Sequence, residues 1–138
     1  MKWLIYGSNG WIGKQIKSHL FRANINDIII DGKSRVNNTN ELEEEIFTVK
    51  PDRVVCVIGR THGPHINTID YLESNDKMQM NIQDNLFSPI SLAIVCLKCN
   101  LHLTYLGTGC IFNNLDERVK YKENDIPDFF GSNYSIVK

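Results

Sequence analysis

The stretch KWLIYGSNGWIG, residues 2–13, decides the fold class of this 138-residue chain. A short apolar run meets a glycine at once, and apolar residues then recur at helical spacing, which predicts a strand, a tight turn and a helix. Glycines in such a turn let the backbone approach a pyrophosphate that binds at the helix N-terminus. The order predicts a dinucleotide-binding turn, with a merely structural turn as the alternative. The predicted contacts are Gly7, Asn9, Gly10, Trp11, Ile12 and Gly13.

Short apolar strands alternate with helical segments along the rest of the chain. Further strands are predicted at residues 27–31, 53–59 and 101–107. Helices are predicted at 39–50, with Thr39 or Asn40 as N-cap, and from about 69–71 to 98, with an interruption near Ser88 and Pro89. This alternation is typical of an α/β fold. We expect a Rossmann-type doubly wound parallel sheet that forms one NAD(P)-binding domain over residues 1–138.

Composition excludes several classes of partner. The formal charge is -1, the sequence pI is near 6.4, and Lys and Arg are scattered along the chain. A basic surface for nucleic acid is therefore not expected. The apolar run at the N-terminus is too short for a signal peptide or a membrane span. We therefore expect a cytoplasmic protein without a membrane partner.

The four cysteines of this chain are expected to be thiols rather than disulfides. Cys96 and Cys99 form a CxxC pattern, but it lies in an apolar helical run without a second pair of ligands. The pattern is therefore interpreted as buried cysteines on a helix, and no metal site is predicted.

Two signals that concern the adenosine end of the cofactor conflict. Asp31 ends the second predicted strand, where an acid hydrogen-bonds the ribose of NAD. Lys33 and Arg35 follow it and are suited to hold a 2′-phosphate. We predict NADP(H), with NAD(H) or dual use as the alternative. Two solvated surface cations would be the interpretation without a binding role.

Tyr134 and Lys138 are spaced to share one face of a helix. A nearby ammonium favours the phenolate and lowers a phenol pKa that starts at about 10, so the tyrosine can exchange a proton with a carbonyl oxygen. The lysine can also hold the nicotinamide ribose. Thr108 follows the fourth predicted strand, where ligands of such sheets bind, and its hydroxyl is suited to the substrate carbonyl. Surface residues at helical spacing and a threonine that closes a strand are the alternatives.

Several longer stretches resemble extended short-chain dehydrogenases, and one branch of them in particular. They are LIYGSNGWIGKQI, DGKSR, VKPDRV, TGCIF and KENDIPDFFGSNYS, and they are spread along the chain. These stretches resemble the bifunctional UDP-4-keto-6-deoxyglucose 3,5-epimerase/4-reductases of UDP-L-rhamnose synthesis and, more distantly, dTDP-4-dehydrorhamnose reductase. The resemblance implies a nucleotide-sugar substrate, carrying UDP or dTDP, and reduction of its 4-keto group by Thr108, Tyr134 and Lys138.

The resemblance also implies roles for residues outside the YxxxK pattern that Tyr134 and Lys138 form. The segment GRTHGP, residues 59–64, would line the cofactor through Gly59 and Thr61, with His62 nearby. Epimerisation needs a separate acid/base pair, because protons beside the ketone leave one face of the sugar and return on the other. Cys110 resembles the cysteine of related GDP-fucose synthases, and a thiol with a pKa of about 8.5 is a serviceable base. A small buried apolar role is the alternative for Cys110.

Extended reductases continue past the YxxxK pattern with more strands and a substrate subdomain, whereas this chain stops at Lys138. We therefore expect an apparently truncated chain without the substrate subdomain and without the family's second acid/base residue. The YSIVK segment is expected to be too short for a stable helix by itself, and the long polar segment at 110–133 to be a functional loop. A stand-alone NAD(P)-binding module without chemistry and a structural fragment that forms a homodimer stay open as alternatives.

Overall fold

The structure is a computed structural model that describes residues 1–113 and 120–138. The chain divides into two compact units. The first comprises Met1–Gly59 and Gln83–Leu106, and the second comprises Arg60–Ile82 and Gly107–Lys138. The predicted functional loop at 110–133 includes residues 114–119, which lie outside the described residues.

Across the described residues, the first unit holds a four-stranded sheet in the order β2-β1-β3-β4. The strands are β1 (Lys2–Tyr6), β2 (Ile28–Asp31), β3 (Arg53–Cys56) and β4 (His102–Tyr105). The α-helices among the described residues are α1 (Trp11–Ala23), α2 (Thr39–Val49), α3 (Met78–Ile82), α4 (Ser88–Lys98) and α5 (Asn133–Val137). All neighbouring strands pair in parallel, which confirms the predicted Rossmann-type α/β fold.

One face of the sheet forms the core of the first unit together with α2 and α4. Side chains alternate between the two faces of a strand, so Leu4 and Tyr6 of β1 lie on this face beside Val54 and Cys56 of β3. The two helices contribute Leu42, Ile46, Leu92, Val95 and Cys96. Because the strands are parallel, the turns that follow β1, β2 and β3 lie at one edge of the sheet, where ligands of such folds bind.

The predicted long helix that ends at residue 98 is wrong in detail. The chain forms two short 3-10 turns, Ile69–Leu72 and Asn75–Lys77, and then α3, a π-helical turn at Gln83–Phe87 and α4. The predicted interruption near Ser88 and Pro89 lies where the π-helical turn ends and α4 begins, and Pro89 is in the first turn of α4, where a missing N–H costs little. The π turn is invisible to hydrophobic periodicity because it changes the spacing by a single residue.

Smaller differences concern the ends of the elements. The third and fourth strands are shorter than predicted, because apolar residues continue past them into the turns at the sheet edge. Asn38, rather than Thr39 or Asn40, caps α2, and its side-chain oxygen accepts the backbone N–H of Glu41 at 3.4 Å. In the part of the chain that the structure describes, no helix has the length and apolar character needed to cross a bilayer.

Candidate functional site

The glycine turn after β1 brings backbone atoms into close contact at Gly7 and Gly13. Gly7 has a φ of +83°, which favours glycine, and a Cβ there would lie 2.9 Å from the carbonyl carbon of Val57. A Cβ at Gly13 would lie 2.3 Å from the Gly7 carbonyl oxygen. The fold itself therefore requires both glycines.

Gly10 differs from these two glycines. Its backbone is extended, with φ -68° and ψ 170°, and a Cβ would lie 3.3 Å from the Gly7 carbonyl oxygen, in a tight but tolerable contact. Gly10 is the N-cap residue of α1 and, having no side chain, makes no capping hydrogen bond to the first amides of this helix. Asn9, Trp11 and Ile12 are exposed around it. This helix end can therefore receive an anionic group.

Asp31, at the end of β2, is already paired with a cation from α1. Its Oδ1 accepts a hydrogen bond from Nζ of Lys17 at 2.6 Å. The Lys17 ammonium holds the pKa of the Asp31 carboxyl below its usual value. Lys33 and Arg35 are exposed in the segment that follows. The structure thus places the acid and both cations predicted for the adenosine end in one stretch of the first unit.

The segment after β3 is divided between the two units. Gly59 ends a range of the first unit, whereas Thr61 belongs to the second, where its Oγ1 lies 3.3 Å from Nδ1 of His62. Thr61 and His62 are exposed. The structure brings these two side chains together, and the grouping of Gly59 with Thr61 stays a prediction.

In the second unit, side chains hold the start of α5, which carries Tyr134. Ser132 is the N-cap, and its Oγ accepts the backbone N–H of Ser135 at 3.0 Å. The Glu73 carboxylate accepts the backbone N–H of Asn133 at 2.7 Å and that of Tyr134 at 3.2 Å. A carboxylate at a helix N-terminus satisfies free amides and interacts favourably with the helix dipole. The segment predicted to be too short for a stable helix is helical because tertiary hydrogen bonds hold it.

Tyr134 and Lys138 share one side of α5. Tyr134 is 4% exposed, and Nζ of Lys138 lies 6.0 Å from the centroid of its ring. A cation at about this distance from an aromatic face is attracted by the ring. The buried Asn81 side chain donates to the carbonyl oxygen of Asn133 at 3.0 Å and fixes the same end of the helix. The structure therefore brings the predicted tyrosine and lysine together.

Hydrogen bonds tie the segment after β4 to α5. The backbone N–H of Cys110 donates to Thr108 Oγ1 at 3.2 Å, and Ser135 Oγ donates to the carbonyl oxygen of Cys110 at 2.8 Å. A hydroxyl accepts and donates at once, so Thr108 keeps its own O–H for a further acceptor. Cys110 is exposed, which contradicts the buried apolar alternative. A hydroxyl and a thiol thus lie on a segment anchored to the tyrosine helix.

The CxxC pattern on α4 is half buried. Cys96 is buried, whereas Cys99 is exposed because it caps the C-terminal end of α4, so the prediction that both are buried is wrong for Cys99. Burial raises the pKa of the Cys96 thiol to about 11, which keeps it protonated in the core.

Sequence reasoning misses Glu73, Asn81 and Lys17. Each acts on a residue far along the chain, as Glu73 does on Asn133 across 60 positions, and no local pattern signals such a pair. Ser132 does carry a signal, because a serine just before a short helical run is a common N-cap.

Known proteins resemble this chain along its whole length, although no protein-family model matches it. The protein L780 of Acanthamoeba polyphaga mimivirus is 50% identical over 142 residues, which cover 100% of this chain and 48% of L780. The crystal structure of the L780 UDP-rhamnose synthase matches with a TM-score of 0.90 and covers 99% of this chain and 48% of that chain.

More distant relatives are longer or differ more in sequence. The trifunctional UDP-glucose 4,6-dehydratase/UDP-4-keto-6-deoxy-D-glucose 3,5-epimerase/UDP-4-keto-L-rhamnose-reductase RHM1 of Arabidopsis thaliana is 34% identical over 143 residues, covering 100% of this chain and 20% of RHM1. A dTDP-4-dehydrorhamnose reductase from Bacillus anthracis, solved in complex with NADP, shares the fold with a TM-score of 0.80 and 18% identity, covering 99% of this chain and 45% of that chain.

This chain spans about half the length of L780, its coverage being 48%, and a smaller share of the plant protein. RHM1 and the L780 UDP-rhamnose synthase are enzymes that act on nucleotide sugars. These matches confirm the resemblance predicted from the sequence: the chain is a homologue of the epimerase/reductase enzymes of UDP-rhamnose synthesis.

Proposed function

We propose that this chain is the cofactor-binding part of an NADP(H)-dependent 3,5-epimerase/4-reductase that converts UDP-4-keto-6-deoxyglucose to UDP-L-rhamnose. The pairing of Tyr134 with Lys138 on α5 carries this proposal, because a phenol beside an ammonium is suited to proton transfer at a ketone oxygen. The activities for which L780 and RHM1 are named favour a UDP sugar over a dTDP sugar.

The residues at the sheet edge fit a dinucleotide. The open N-terminus of α1 and the side-chain-free Gly10 leave room for a pyrophosphate, which the helix dipole favours. The exposed Lys33 and Arg35 suit the 2′-phosphate of NADP(H), and Asp31 suits the ribose hydroxyls of the alternative, NAD(H). When bound, the reduced nicotinamide supplies the hydride for the ketone. We assign Gly59 and Thr61 to the lining of the same cofactor.

Tyr134 is the proton donor in the proposed reduction. Its O–H protonates the oxygen on carbon 4 of the sugar as the ketone becomes an alcohol, and the phenolate that remains is stabilised by the Lys138 ammonium. Lys138 also holds the nicotinamide ribose. The free O–H of Thr108 donates to the same sugar oxygen and orients it. Glu73 keeps Tyr134 in place by holding the first turn of α5.

Cys110 is the base in the proposed epimerisation. Its thiolate takes a proton from carbon 3 or carbon 5, and the electron pair of the broken C–H bond moves into the ketone to form an enolate. The Thr108 O–H stabilises the enolate oxygen. An acid on the opposite face returns a proton to carbon and inverts the centre, and none of the residues assigned above takes that role.

The test is a chimera in which this chain replaces the matching segment of L780, supplied with UDP-4-keto-6-deoxyglucose and NADPH. We expect UDP-L-rhamnose to form with consumption of NADPH. Tyr134→Phe should lower kcat by about 10²–10⁴-fold, the usual contribution of a positioned acid. Tyr105→Phe, on the exposed strand β4, is the matched control and should retain the activity. Activity that survives Tyr134→Phe would overturn the assignment.

Cys110→Ser separates the two reactions. This variant should lose exchange of the carbon 3 and carbon 5 protons with deuterated solvent, because serine is a much weaker base than a thiolate. It should still reduce a 4-keto sugar that already has the rhamnose configuration. Unchanged proton exchange in Cys110→Ser would show that another residue is the base.

A further inference from the structure

Glu45, on α2, holds the segment that follows β2. Its Oε1 accepts the backbone N–H of Lys33 at 2.7 Å, and its Oε2 accepts that of Ser34 at 3.0 Å. Oε2 also accepts the O–H of Tyr6 at 2.8 Å. One carboxylate therefore joins two consecutive amides of this segment to a buried side chain at the end of the inner strand β1.

The Tyr6 hydroxyl keeps its proton and therefore keeps its hydrogen bond to Glu45. Burial, and then the hydrogen bond to Glu45, raises the pKa of Tyr6, so its O–H stays protonated. Burial also works to raise the pKa of Glu45, but the hydrogen bonds from Lys33, Ser34 and Tyr6 outweigh it and lower that pKa. The carboxylate therefore stays ionised, and bonds to an ionised acceptor are the stronger kind.

The Tyr6 ring also restricts the segment sterically. Tyr6 is 1% exposed, and a Cβ at Gly32 would lie 2.5 Å from Cδ1 of its ring. The backbone N–H of Gly32 donates to the carbonyl oxygen of Ile5 at 2.9 Å. The chain thus leaves β2 in close contact with an aromatic ring, with no room for a side chain at that point.

Arg35 lies between two fixed points. Ser34 precedes it in contact with Glu45, and Val36 follows it with 5% exposure in the core. The Arg35 carbonyl oxygen accepts the backbone N–H of Asn38 at 2.9 Å. The backbone at Lys33 and Arg35 is therefore held in place while both side chains stay exposed, and such preorganisation lowers the entropy cost of binding.

We infer that Glu45 and Tyr6 are positioning residues for cofactor selectivity, which hold residues 32–35 so that Lys33 and Arg35 face the 2′ position of the adenosine ribose. This inference rests on the proposed function, which puts NADP(H) at this end of the sheet. Both residues act through the backbone. The charge of Glu45 by itself repels a phosphate, so a purely electrostatic role would weaken NADP(H) binding rather than favour it.

Glu45→Gln is the variant that tests the inference, because it keeps the shape but loses one of the two accepting oxygens. Calorimetry on the 138-residue chain would give Kd for NADPH and NADH. We expect the NADPH affinity of Glu45→Gln to fall about tenfold, the equivalent of one well-oriented ionic contact, with NADH affinity nearly unchanged. Tyr6→Phe keeps the ring over Gly32 and should show a smaller loss in the same direction.

Glu44→Gln is the matched control, since it removes the same charge from the preceding position of α2. It should leave NADPH affinity unchanged or raise it slightly, because it only reduces repulsion. Tighter NADPH binding in Glu45→Gln, or an unchanged ratio of NADPH to NADH affinity, would overturn the inference. A selective loss of NADPH affinity in Glu45→Gln that Glu44→Gln does not show would support it.

Amide hydrogen exchange separates a failure of this inference from a failure of the proposed function. Wild-type chain that binds neither cofactor, or prefers NADH, contradicts the proposed NADP(H) use. In that case faster exchange at Lys33 and Ser34 in Glu45→Gln would still show that Glu45 holds the backbone of this segment in place. Exchange equal to the wild type at these amides would overturn it, whichever cofactor binds.

Discussion

The glycine turn and the tyrosine helix are both short, but they are held in different ways. In the turn, Gly13 packs against Gly7, a neighbour a few residues away. In α5, Glu73 binds the amides of Asn133 and Tyr134 from 60 and 61 positions away. The contact between Gly13 and Gly7 is therefore local in the chain, although Gly7 itself also lies against Val57 of the segment after β3. The helix, by contrast, exists because a distant carboxylate satisfies its first amides.

Of the substitutions considered, Gly13→Ala, in the glycine turn, should have the largest effect on stability. A Cβ at Gly13 would lie 2.3 Å from one backbone oxygen and 2.7 Å from the Cα of Ser8, so the backbone itself must move. We expect the free energy of unfolding to fall by about 3 kcal/mol, at the upper end for overpacking. Urea unfolding followed by circular dichroism would measure it.

Gly10→Ala is the control within the same turn. Its Cβ meets only a 3.3 Å contact, so stability should change by about 0.5 kcal/mol or less, while affinity for NADPH should drop because the methyl group occupies the approach to the α1 amides. Equal destabilisation by Gly10→Ala and Gly13→Ala would contradict the conclusion that the fold requires Gly13 whereas Gly10 leaves room for the ligand.

Glu73→Gln weakens the contact by which a residue distant in the sequence holds the start of α5. The amide keeps one acceptor oxygen but places a donor opposite the second backbone N–H, so one charge-assisted hydrogen bond is lost. We expect a loss of about 2 kcal/mol, localised to the second unit, with faster exchange at the first amides of α5. Asp76→Asn, on an exposed acid nearby in the sequence, should change stability little. Slow exchange that persists in Glu73→Gln would show that α5 is stable by itself.

Ser132→Ala and Asn38→Ala compare the N-caps of a short and a longer helix. Each removes one side-chain acceptor from a helix start, Ser132 from α5 and Asn38 from α2, and each should cost about 1 kcal/mol. Ser132→Ala should speed exchange throughout α5, whereas Asn38→Ala should affect only the first turn of α2. Uniform exchange changes along α2 would contradict this comparison.

The smallest effect is expected from pH. The folded-state pKa of Glu45 is lowered, so the stability it contributes is present above the unfolded pKa of about 4.3 and is lost as pH falls through the folded value. The difference in free energy of unfolding between wild type and Glu45→Gln should therefore be constant near neutral pH and shrink below about pH 4.3. A difference that grows on acidification would contradict the conclusion that ionised Glu45 stabilises the fold.

The sequence by itself determined the fold and the residue types of the site. Apolar strands that alternate with helices can bury both faces only in a parallel α/β sheet, and a glycine turn carries its own backbone requirement. Tyr134 and Lys138 share a side of α5 because i and i+4 always do on a helix. These features depend on neighbours in the chain, so periodicity and spacing reveal them.

Only the tertiary structure decided which polar groups hold these parts in place. The choice of Glu73 as the partner of α5, of Lys17 as the partner of Asp31 and of Glu45 as the acceptor beneath Lys33 depends on distance in space. A carboxylate on an acidic helix looks like any solvated charge in the sequence, because nothing local marks the one that meets an unpaired amide. Folding makes that distinction, since a buried or half-buried N–H without a partner is costly.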